Sequence, residues 1–408
     1  MRALASALLL ASVPSLAAAQ PVTFDEAISL SLRAPRIEGA ERALEARRAG
    51  DRDIGGTSQG LTIQATPGAR ILSEQDRGFE GQLSVTHSWN LGDLTGARRR
   101  AAGAEREVLA AERRALALLA RLEAARRWID LWRIGELARL LREEQALTRA
   151  LAELTARAVS AGVATSPDQA EVDAHVAEVA LAAIALEGAQ HEASIALSVA
   201  MARASSPGLR AAGSPPQPAL PDELDLTRIE QLPRVAVERL GAAAERAREV
   251  EVAAAYAPVL ALGAQIQRES PDGVIVSGVI GLSVPLFDQG QRARSSARGE
   301  AERREGEHAQ ARLEAERELV LAAHDVEHQR RQLAAARELL VPAFERLIER
   351  REAALRAGEG TVFLLLDARR RGLDARERAV EAEAARAWAE VRLWVLLAEL
   401  ERAGGDES

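Results

Sequence analysis

The sequence predicts a mainly α-helical, internally duplicated protein with a small β part. Long helical hairpins are expected to form a coiled-coil barrel and to be joined to four β-strands. Ala and Leu supply most of the 47% hydrophobic residues, and only 3% of residues are aromatic, as is typical of long helices and coiled coils. Short segments with apolar residues at every second position indicate the strands. Both patterns occur twice along the chain, which indicates two copies of one unit.

The first 19 residues predict a secretory signal peptide. They carry a basic residue, an apolar stretch, and Ala17 and Ala19 in an A-x-A pattern, so cleavage is expected before Gln20. An N-terminal anchor helix is the alternative, but Pro14 interrupts the apolar run. No later stretch holds the roughly 18 unbroken apolar residues of a membrane span, so we expect no transmembrane helix.

The rest of the chain repeats itself at an almost constant spacing. Pro35 in "APRIEGAERALEARRAGD" corresponds to Pro233 in "LPRVAVERLGAAAERARE", 198 positions later, and Gly162 corresponds to Gly358, 196 positions later. Each copy predicts a helix, two strands, a long helix, a turn and a helix. The expected divisions are a signal peptide at 1–19, a first repeat at 20–204, a Pro-rich linker at 205–231, a second repeat at 232–404 and a disordered tail at 405–408.

The strands are clearest in the second repeat. Apolar residues alternate with polar or small ones in "PVLALGAQIQ" and in "VIVSGVIGLSVPL", and "ESPDG" at 269–273 predicts the turn between them. In the first repeat, residues 61–65 and 83–89 alternate in the same way, with "SEQDRG" at 73–78 between the two strands. Pro67 weakens the first of these strands, because proline cannot donate to a β-ladder.

After each pair of strands the apolar spacing changes to that of a coiled-coil seam. In the second repeat, Leu319, Val326, Leu333 and Leu340 lie seven positions apart. Pro342 lies within this seam, so we expect a kink there. At about 1.5 Å per residue, each long helix is expected to extend roughly 95 Å. The expected helices span 24–54, 97–160, 167–204, 232–256, 293–357 and 362–402.

Four strands are too few to close a barrel, which takes about eight or more. An open sheet edge in an exported protein also invites aggregation. Sharing the sheet among subunits resolves both problems: two chains give eight strands and a filled barrel, whereas three give twelve and an open lumen. Strands that alternate apolar with polar or small residues suit a wall facing lipid on one side and water on the other. The sequence therefore predicts a shared transmembrane barrel that continues into a helical tube.

Three segments carry a resemblance to a known family. The strand-to-helix passage "LSVPLFDQGQRARSSARGEAE" and the turns "AGVATSPDQAE" and "AGEGTVFLLLDARR" resemble those of the TolC-like outer membrane efflux channels. The resemblance implies a homotrimer in outer-membrane lipid, with a 12-stranded barrel and a large periplasmic tunnel of 12 helices. It further implies a channel component of a tripartite efflux or secretion system, which docks on a periplasmic adaptor linked to an inner-membrane pump.

The two turns between long helices are the candidate functional segments. Gly162 and Gly358 suit the left-handed conformation that ends a helix, and Ser166 and Thr361 are the expected N-caps of the return helices. Ordinary punctuation of a helical hairpin would explain each turn alone. Because both repeats carry one, we also interpret the turns as the tip of the tunnel and its adaptor contact. The proposed tip residues are Gly162, Thr165, Ser166, Gly358, Gly360 and Thr361.

The resemblance also suggests two residues for a pore constriction. Asp168 matches the Asp near the first turn of the family, and Asp367 matches an acidic position that faces the constriction in some members. A ring of three carboxylates in a narrow lumen would favour cations; a solvated surface Asp is the alternative. The sequence departs from the family at Leu364, where some relatives carry a second Asp, and at Gly360, where an Arg can bridge neighbouring hairpins.

The sequence gives little support to catalysis. The absence of Cys excludes disulfides, thiol nucleophiles and an acylated N-terminal cysteine. His324 and His328 are spaced so that they could share a divalent metal on one helical face, but the favoured interpretation is two exposed histidines on a charged helix. We therefore expect no enzyme activity and no cofactor.

The basic residues do not indicate a nucleic-acid partner. The chain has no Lys, its 53 basic residues are all Arg, and its net charge is −8. The arginines are interleaved with Glu, so no basic stripe stands free for nucleic acid. A periplasmic coiled-coil adaptor or scaffold without a pore is the rival hypothesis for the whole chain. The exported substrate, whether metal ions, drugs or polypeptides, stays open.

Overall fold

A computed structural model describes residues 20–52, 54, 60–73, 76–206, 208–221, 223–269 and 273–405. The predicted signal peptide, most of the predicted tail and the centres of both predicted strand turns lie outside these residues. The helices are α1 (Phe24–Ser31), α2 (Pro35–Asp51), α3 (Leu94–Ser160), α4 (Ser166–Ala200), α5 (Pro233–Ala255), α6 (Gln291–Ala335), α7 (Val341–Arg356) and α8 (Val362–Gly405). The strands are β1 (Gln20–Val22), β2 (Leu61–Ser73), β3 (Asp76–Asn90), β4 (Leu209–Ala211), β5 (Val259–Glu269) and β6 (Gly273–Ser283).

The predicted fold class is confirmed, because both copies follow the same order of elements. In the first copy, α2 precedes the β2–β3 hairpin, and α3 and α4 follow it. In the second copy, α5 precedes the β5–β6 hairpin, and a long helix from α6 to α7, followed by α8, completes the pattern. No described helix contains an 18-residue segment apolar enough to span a membrane.

The first predicted helix, 24–54, is wrong as a single element. The chain forms α1 and α2 with a tight turn between them, in which the N–H groups of Arg33 and Ala34 donate to the carbonyls of Leu30 and Ser31. Pro35 is the cause: it disfavours helical geometry at Ala34 but suits the first position of a new helix. The second copy behaves alike, since a short 3₁₀ helix at Leu226–Gln231 ends just before Pro233 begins α5.

The interruption expected at Pro342 is a π-helical segment. Residues Ala336–Leu340 form one π turn between α6 and α7, and Pro342 is the second residue of α7. Proline lacks an N–H and its ring clashes with the carbonyl four residues earlier. A π turn at this point widens the backbone and accommodates the ring without ending the helix.

The described residues form two compact units. Unit 1 contains residues up to 35, 117–223 and 319–398, which carry both interhelical turns. Unit 2 contains residues 36–116 and 224–318 together with the C-terminal end of α8, and it carries both β-hairpins.

Unit 2 is built on a four-stranded antiparallel sheet in the order β2-β3-β5-β6. The register places the predicted apolar positions opposite one another: Ile63 pairs with Val85, Leu83 with Ile266, and Ile266 with Val276. Pro67 does not end β2. β2 is an edge strand of this sheet, which is the position where a strand tolerates proline. Each hairpin of the repeat thus contributes two adjacent strands.

The core of unit 1 is anchored by a parallel strand pair that the sequence analysis did not predict. β1 pairs with β4, so the predicted linker is ordered at this point. Trp128, which is completely buried, donates from its indole Nε1 to the Val22 carbonyl at 2.8 Å. The Phe24 ring meets the Trp128 ring edge-on, with centroids 5.5 Å apart. Ser194 completes the anchor, because its hydroxyl accepts from the Leu209 N–H at 2.8 Å.

Candidate functional site

The two turns of unit 1 end their helices with the same backbone motif. At the end of α3, the Val163 N–H donates to the Ala158 carbonyl at 2.8 Å, and the Gly162 N–H donates to the Val159 carbonyl at 3.0 Å. At the end of α7, Glu359 donates to Ala354 at 2.9 Å, and Gly358 donates to Leu355 at 3.1 Å. This pair of bonds defines a Schellman motif, in which the residue after the helix takes the left-handed conformation.

The glycines at these positions fit that requirement. Gly162 has φ +70° and Gly358 has φ +77°, a region in which a side chain costs about 1 kcal/mol or more. Gly360 serves a different purpose, because a Cβ atom there would lie 3.0 Å from the Leu355 backbone nitrogen. The left-handed conformation predicted for the two turns is therefore present in both copies.

The predicted N-cap of α4 is wrong by one residue. Thr165 caps the helix and Ser166 is its first residue. Thr165 and Asp168 form a reciprocal capping box: the Thr165 N–H donates to Asp168 Oδ2 at 2.9 Å, and the Asp168 N–H donates to Thr165 Oγ1 at 3.3 Å. Pro167 explains the shift, because it must occupy the first helical turn and Asp168 then falls at the position that closes the box.

The second turn is capped as predicted. Thr361 precedes α8, and its hydroxyl accepts a hydrogen bond from the Leu364 N–H at 3.4 Å. No carboxylate occupies the position of Asp168 in this copy, because Leu364 stands there. The departure from the family at Leu364 thus leaves the second cap with one side-chain hydrogen bond instead of a reciprocal pair.

We expect Thr165→Ala to destabilise the start of α4 by about 1 kcal/mol, the usual cost of losing an N-cap. Ser166→Ala is the matched control, and it should be close to neutral because Ser166 is not the cap. Hydrogen exchange of the first-turn amides of α4 measures both effects. Equal protection in the two variants would contradict the assignment of Thr165.

The same cap gives a pH dependence. The Thr165 hydroxyl, and then the Thr165 N–H, lower the pKa of the Asp168 carboxyl. A carboxyl with a lowered pKa in the folded state stabilises that state above its ordinary pKa of about 3.9, and the contribution is lost as the pH falls through the folded-state pKa. We expect amide protection in the first turn of α4 to fall below about pH 4 in the wild type, and to change less in Asp168→Asn.

The four helices that enter and leave the two turns meet in one apolar cluster. Val172 from α4 and Val362 and Leu366 from α8 form its buried centre. Leu151 from α3 and Leu355 from α7 pack against them. The two turns therefore lie at the same end of unit 1, and the cluster is the apolar layer directly behind them.

A polar layer joins α4 to α8 a short distance further from the turns. Arg370 of α8 donates to Glu178 Oε2 at 2.8 Å and to His175 Nδ1 at 3.3 Å, both on α4. His175 is buried, and its other nitrogen lies 3.8 Å from a carboxylate oxygen of Glu144 on α3. These contacts connect helices of the two repeats, so a relative movement of α4 and α8 must break them.

A second arginine extends this layer to α7. Arg369 donates to Glu352 Oε1 at 2.7 Å, and its guanidinium lies 4.0 Å from the buried Glu144. Glu144 also receives a hydrogen bond from the Thr148 hydroxyl at its backbone carbonyl, at 2.8 Å. Sequence reasoning missed this layer, because periodicity predicts which residues face inward but not which charged residues meet there.

Each of the two predicted constriction residues has a partner within the chain. Asp168 is held in its capping box, and Asp367 forms an i,i+4 salt bridge with Arg371 at 3.1 Å. The structure shows no contact between the two carboxylates within the described residues. The role of either one in a pore therefore depends on how separate chains meet.

Two apolar side chains next to the turns are solvent-exposed. Val163, in the first turn, is 83% exposed, and Phe363, in the first turn of α8, is 55% exposed. Neither residue is among the predicted tip residues, which are the glycines and the caps. Their position beside Gly162 and Thr361 could have indicated them.

The histidine pair of α6 lies in unit 1 on an exposed surface. The rings of His324 and His328 are stacked, with centroids 6.3 Å apart. Among the described residues, no group of three or more His, Asp or Glu side chains is arranged to hold a metal ion.

Comparison with known proteins agrees with this architecture. Residues 228–399 match the family model described as outer membrane efflux protein. No curated protein sequence matches the chain. The match lies in the second repeat and is to a family of transport proteins, not to a class of enzyme.

Solved structures match over nearly the whole chain. CusC aligns with a TM-score of 0.80 at 15% identity, covering 92% of this chain and 91% of that one. A membrane protein from Pseudomonas aeruginosa aligns with a TM-score of 0.78 at 19% identity (92% and 90% covered). The outer membrane protein VceC from Vibrio cholerae aligns with a TM-score of 0.76 at 16% identity (92% and 95%).

The structural likeness extends the similarity to both repeats, since the aligned region covers far more than the matched segment. The resemblance drawn from the turns and the strand-to-helix passage is confirmed. Residues 228–399 match the model of the outer membrane efflux protein family, and the chain as a whole has the fold of the TolC-like outer-membrane channels.

Proposed function

We propose that this protein is the outer-membrane channel component of a tripartite efflux or secretion system, and that three copies form a duct across the periplasm and outer membrane. The observation that carries this proposal is the sheet of unit 2. Among the described residues, its edge strands β2 and β6 each lack a neighbour on the outer side, and one exposed face of the sheet is apolar. Ile63, Ile266, Val276 and Ile280 on that face are half or more exposed. A water-soluble monomer would cover such a face.

The opposite face of the sheet suits a water-filled interior. Gln82 donates to Gln265 across β3 and β5 at 2.8 Å, and Ser84 and Thr86 follow on the same face. Three copies supply twelve strands, with β6 of one chain beside β2 of the next. Closure in this way pairs both free edges and places the apolar face against lipid.

The helices of unit 1 support association of identical chains. Leu181 and Ile184 on α4 are exposed to about two thirds of their area, although α4 belongs to a long hairpin that needs an apolar seam. Packing against the helices of neighbouring copies would cover them. The proposal therefore assigns the periplasmic tube to the same trimer as the barrel.

The two turns form the periplasmic tip and the adaptor contact in this proposal. They lie at one end of unit 1, and Val163 and Phe363 give that end exposed apolar side chains for a protein partner. Asp367 is the stronger candidate for a constriction, because its only described partner is a surface salt bridge. Asp168 is needed by its own helix cap. The inner-membrane pump supplies the energy, and the duct itself is passive.

Conductance across a planar lipid bilayer tests this proposal. The purified oligomer is expected to open discrete pores, and Arg370→Ala should increase the open fraction because it releases α8 from α4. Arg378→Ala is the matched control, since among the described residues Arg378 pairs only with Asp374 of its own helix, at 3.2 Å. A folded oligomer that never conducts, in the wild type or in Arg370→Ala, would exclude the channel.

Fractionation separates the channel from the rival hypothesis. A stable oligomer in the outer-membrane fraction is the expected result. A soluble periplasmic monomer would instead favour a coiled-coil adaptor or scaffold without a pore.

A further inference from the structure

A pocket lined by arginines lies in unit 2, between the end of α2 and the first turns of α3. Its volume is about 490 Å³. The lining residues are Arg48, Asp51, Arg52, Ile54, Arg99, Ala102 and Arg106. Four basic side chains thus face one acidic side chain, in a chain whose net charge is −8. Such a local excess of positive charge needs an explanation.

The acid in the pocket is already occupied. Asp51, whose side chain is only 10% exposed, lies 3.0 Å from Arg106 Nε and 3.6 Å from Arg47 Nε. The Asp51 and Arg106 atoms are close but are not aligned for a hydrogen bond, and both are unsatisfied. Arg47 also pairs with Glu105. Asp51 therefore neutralises part of the charge of Arg47 and Arg106. It does not neutralise the other arginines of the pocket.

Three arginines keep donors available in the pocket. Within the described residues, the guanidinium of Arg99 makes one hydrogen bond, from its Nε to the Ile54 carbonyl at 2.9 Å. The side chains of Arg48 and Arg52 make no hydrogen bond or ion pair within the part of the chain that the structure describes. Their guanidinium groups are forked donors, which match the oxygens of a phosphate better than those of any uncharged ligand.

Helix electrostatics explains only one side of this arrangement. Arg48 lies in the last turn of α2, where the helix dipole favours a cation. Arg99 lies near the start of α3, where the dipole disfavours a cation, and the first turn of α3 contains no acidic residue. An anion in the pocket would be favoured by the arginines and by the start of α3 together.

We propose that this pocket binds a phosphate group, and that its source is the headgroup of a phospholipid in the inner leaflet of the outer membrane. The lipid assignment rests on the proposed function. β3 ends at Asn90 and α3 begins at Leu94, so Arg99 lies about 8 Å along α3 from its first residue. Headgroups occupy roughly 5–8 Å beyond the hydrocarbon core of a bilayer. A guanidinium at this height reaches the phosphate layer beside a membrane-embedded sheet.

Binding of defined lipids to the purified full-length oligomer in detergent tests the proposal. Native mass spectrometry would compare phosphatidylglycerol with diacylglycerol, which has the same acyl chains and no phosphate. We expect the wild type to retain phosphatidylglycerol, and Arg48→Gln/Arg52→Gln to bind it about tenfold more weakly or worse. Arg42→Gln is the matched control, because Arg42 lies on α2 outside the pocket and pairs with Glu38. Equal binding in the double variant and the wild type, or equal binding of diacylglycerol, would overturn the site.

Inorganic phosphate distinguishes the two sources of the same chemistry. Weak competition, with phosphatidylglycerol retained in millimolar phosphate, is expected for a lipid site. Competition as strong as that of the lipid itself would overturn the lipid assignment. Conductance of the same samples keeps this test separate from that of the channel. The double variant should conduct like the wild type, and a non-conducting wild type that still binds phosphatidylglycerol would refute the channel alone.

Discussion

Trp128→Ala is expected to lower the free energy of unfolding by about 3–5 kcal/mol, the usual cost of truncating a buried aromatic side chain to alanine. Trp128 is completely buried, so its removal leaves a cavity that the surrounding helices fill only in part. The variant also loses the indole hydrogen bond to the Val22 carbonyl and the edge-on contact with Phe24. Guanidinium unfolding followed by far-UV circular dichroism, at fixed protein and detergent concentrations, measures the change.

Trp128→Phe separates the hydrogen bond from the packing. It keeps an aromatic ring beside Phe24 but removes the indole N–H, whose net contribution is about 1 kcal/mol. We therefore expect a loss well below that of Trp128→Ala. Equal losses in the two variants would show that the contact with Val22, rather than the buried volume, holds the β1–β4 pair. A wild-type midpoint for Trp128→Ala would contradict the proposed anchor.

The long hairpins could be predicted from the sequence because their signals are local. Gly162 and Gly358 mark positions where the left-handed conformation is needed, and they do so in both copies. Alternation in 274–286 fixes which side chains share a face of the sheet, since a strand has a period of two. Pro67 was expected to weaken the first strand. The sequence does not show that β2 is an edge strand.

The features that the sequence did not predict depend on contacts between distant residues. β1 and β4 are three residues each, and their paired residues lie 189 positions apart: Gln20 pairs with Leu209 and Val22 with Ala211. No local period reveals such short strands. The layer around His175 is of the same kind, because Arg370 meets it from a helix 195 positions away. The N-cap error at Ser166 was local. With Pro167 in the first turn, Asp168 lies three residues after Thr165, the spacing that a capping box requires.

A buried ion network in unit 1 gives the second large effect. Glu390 of α8 is 3% exposed and accepts from Arg330 Nε of α6 at 2.8 Å and from Arg386 Nη1 at 2.5 Å. Arg386 is also buried, whereas about half of the Arg330 side chain reaches solvent. The Glu390 carboxylate thus neutralises the guanidinium of Arg386, which is buried away from water. It also ties α6 to α8.

Glu390→Ala is expected to cost about 3–5 kcal/mol, because it leaves the buried charge of Arg386 without a partner. Glu383→Ala on the same helix is the matched control: its partner Arg337 is half exposed, so the loss should stay near 1 kcal/mol or below. Adding Arg386→Met to Glu390→Ala should recover most of the stability, since it removes the stranded charge. If the double variant is as unstable as the single one, the loss comes from packing of the Glu390 side chain and not from an unpaired charge. Guanidinium midpoints of the four proteins, measured side by side, decide between these two causes.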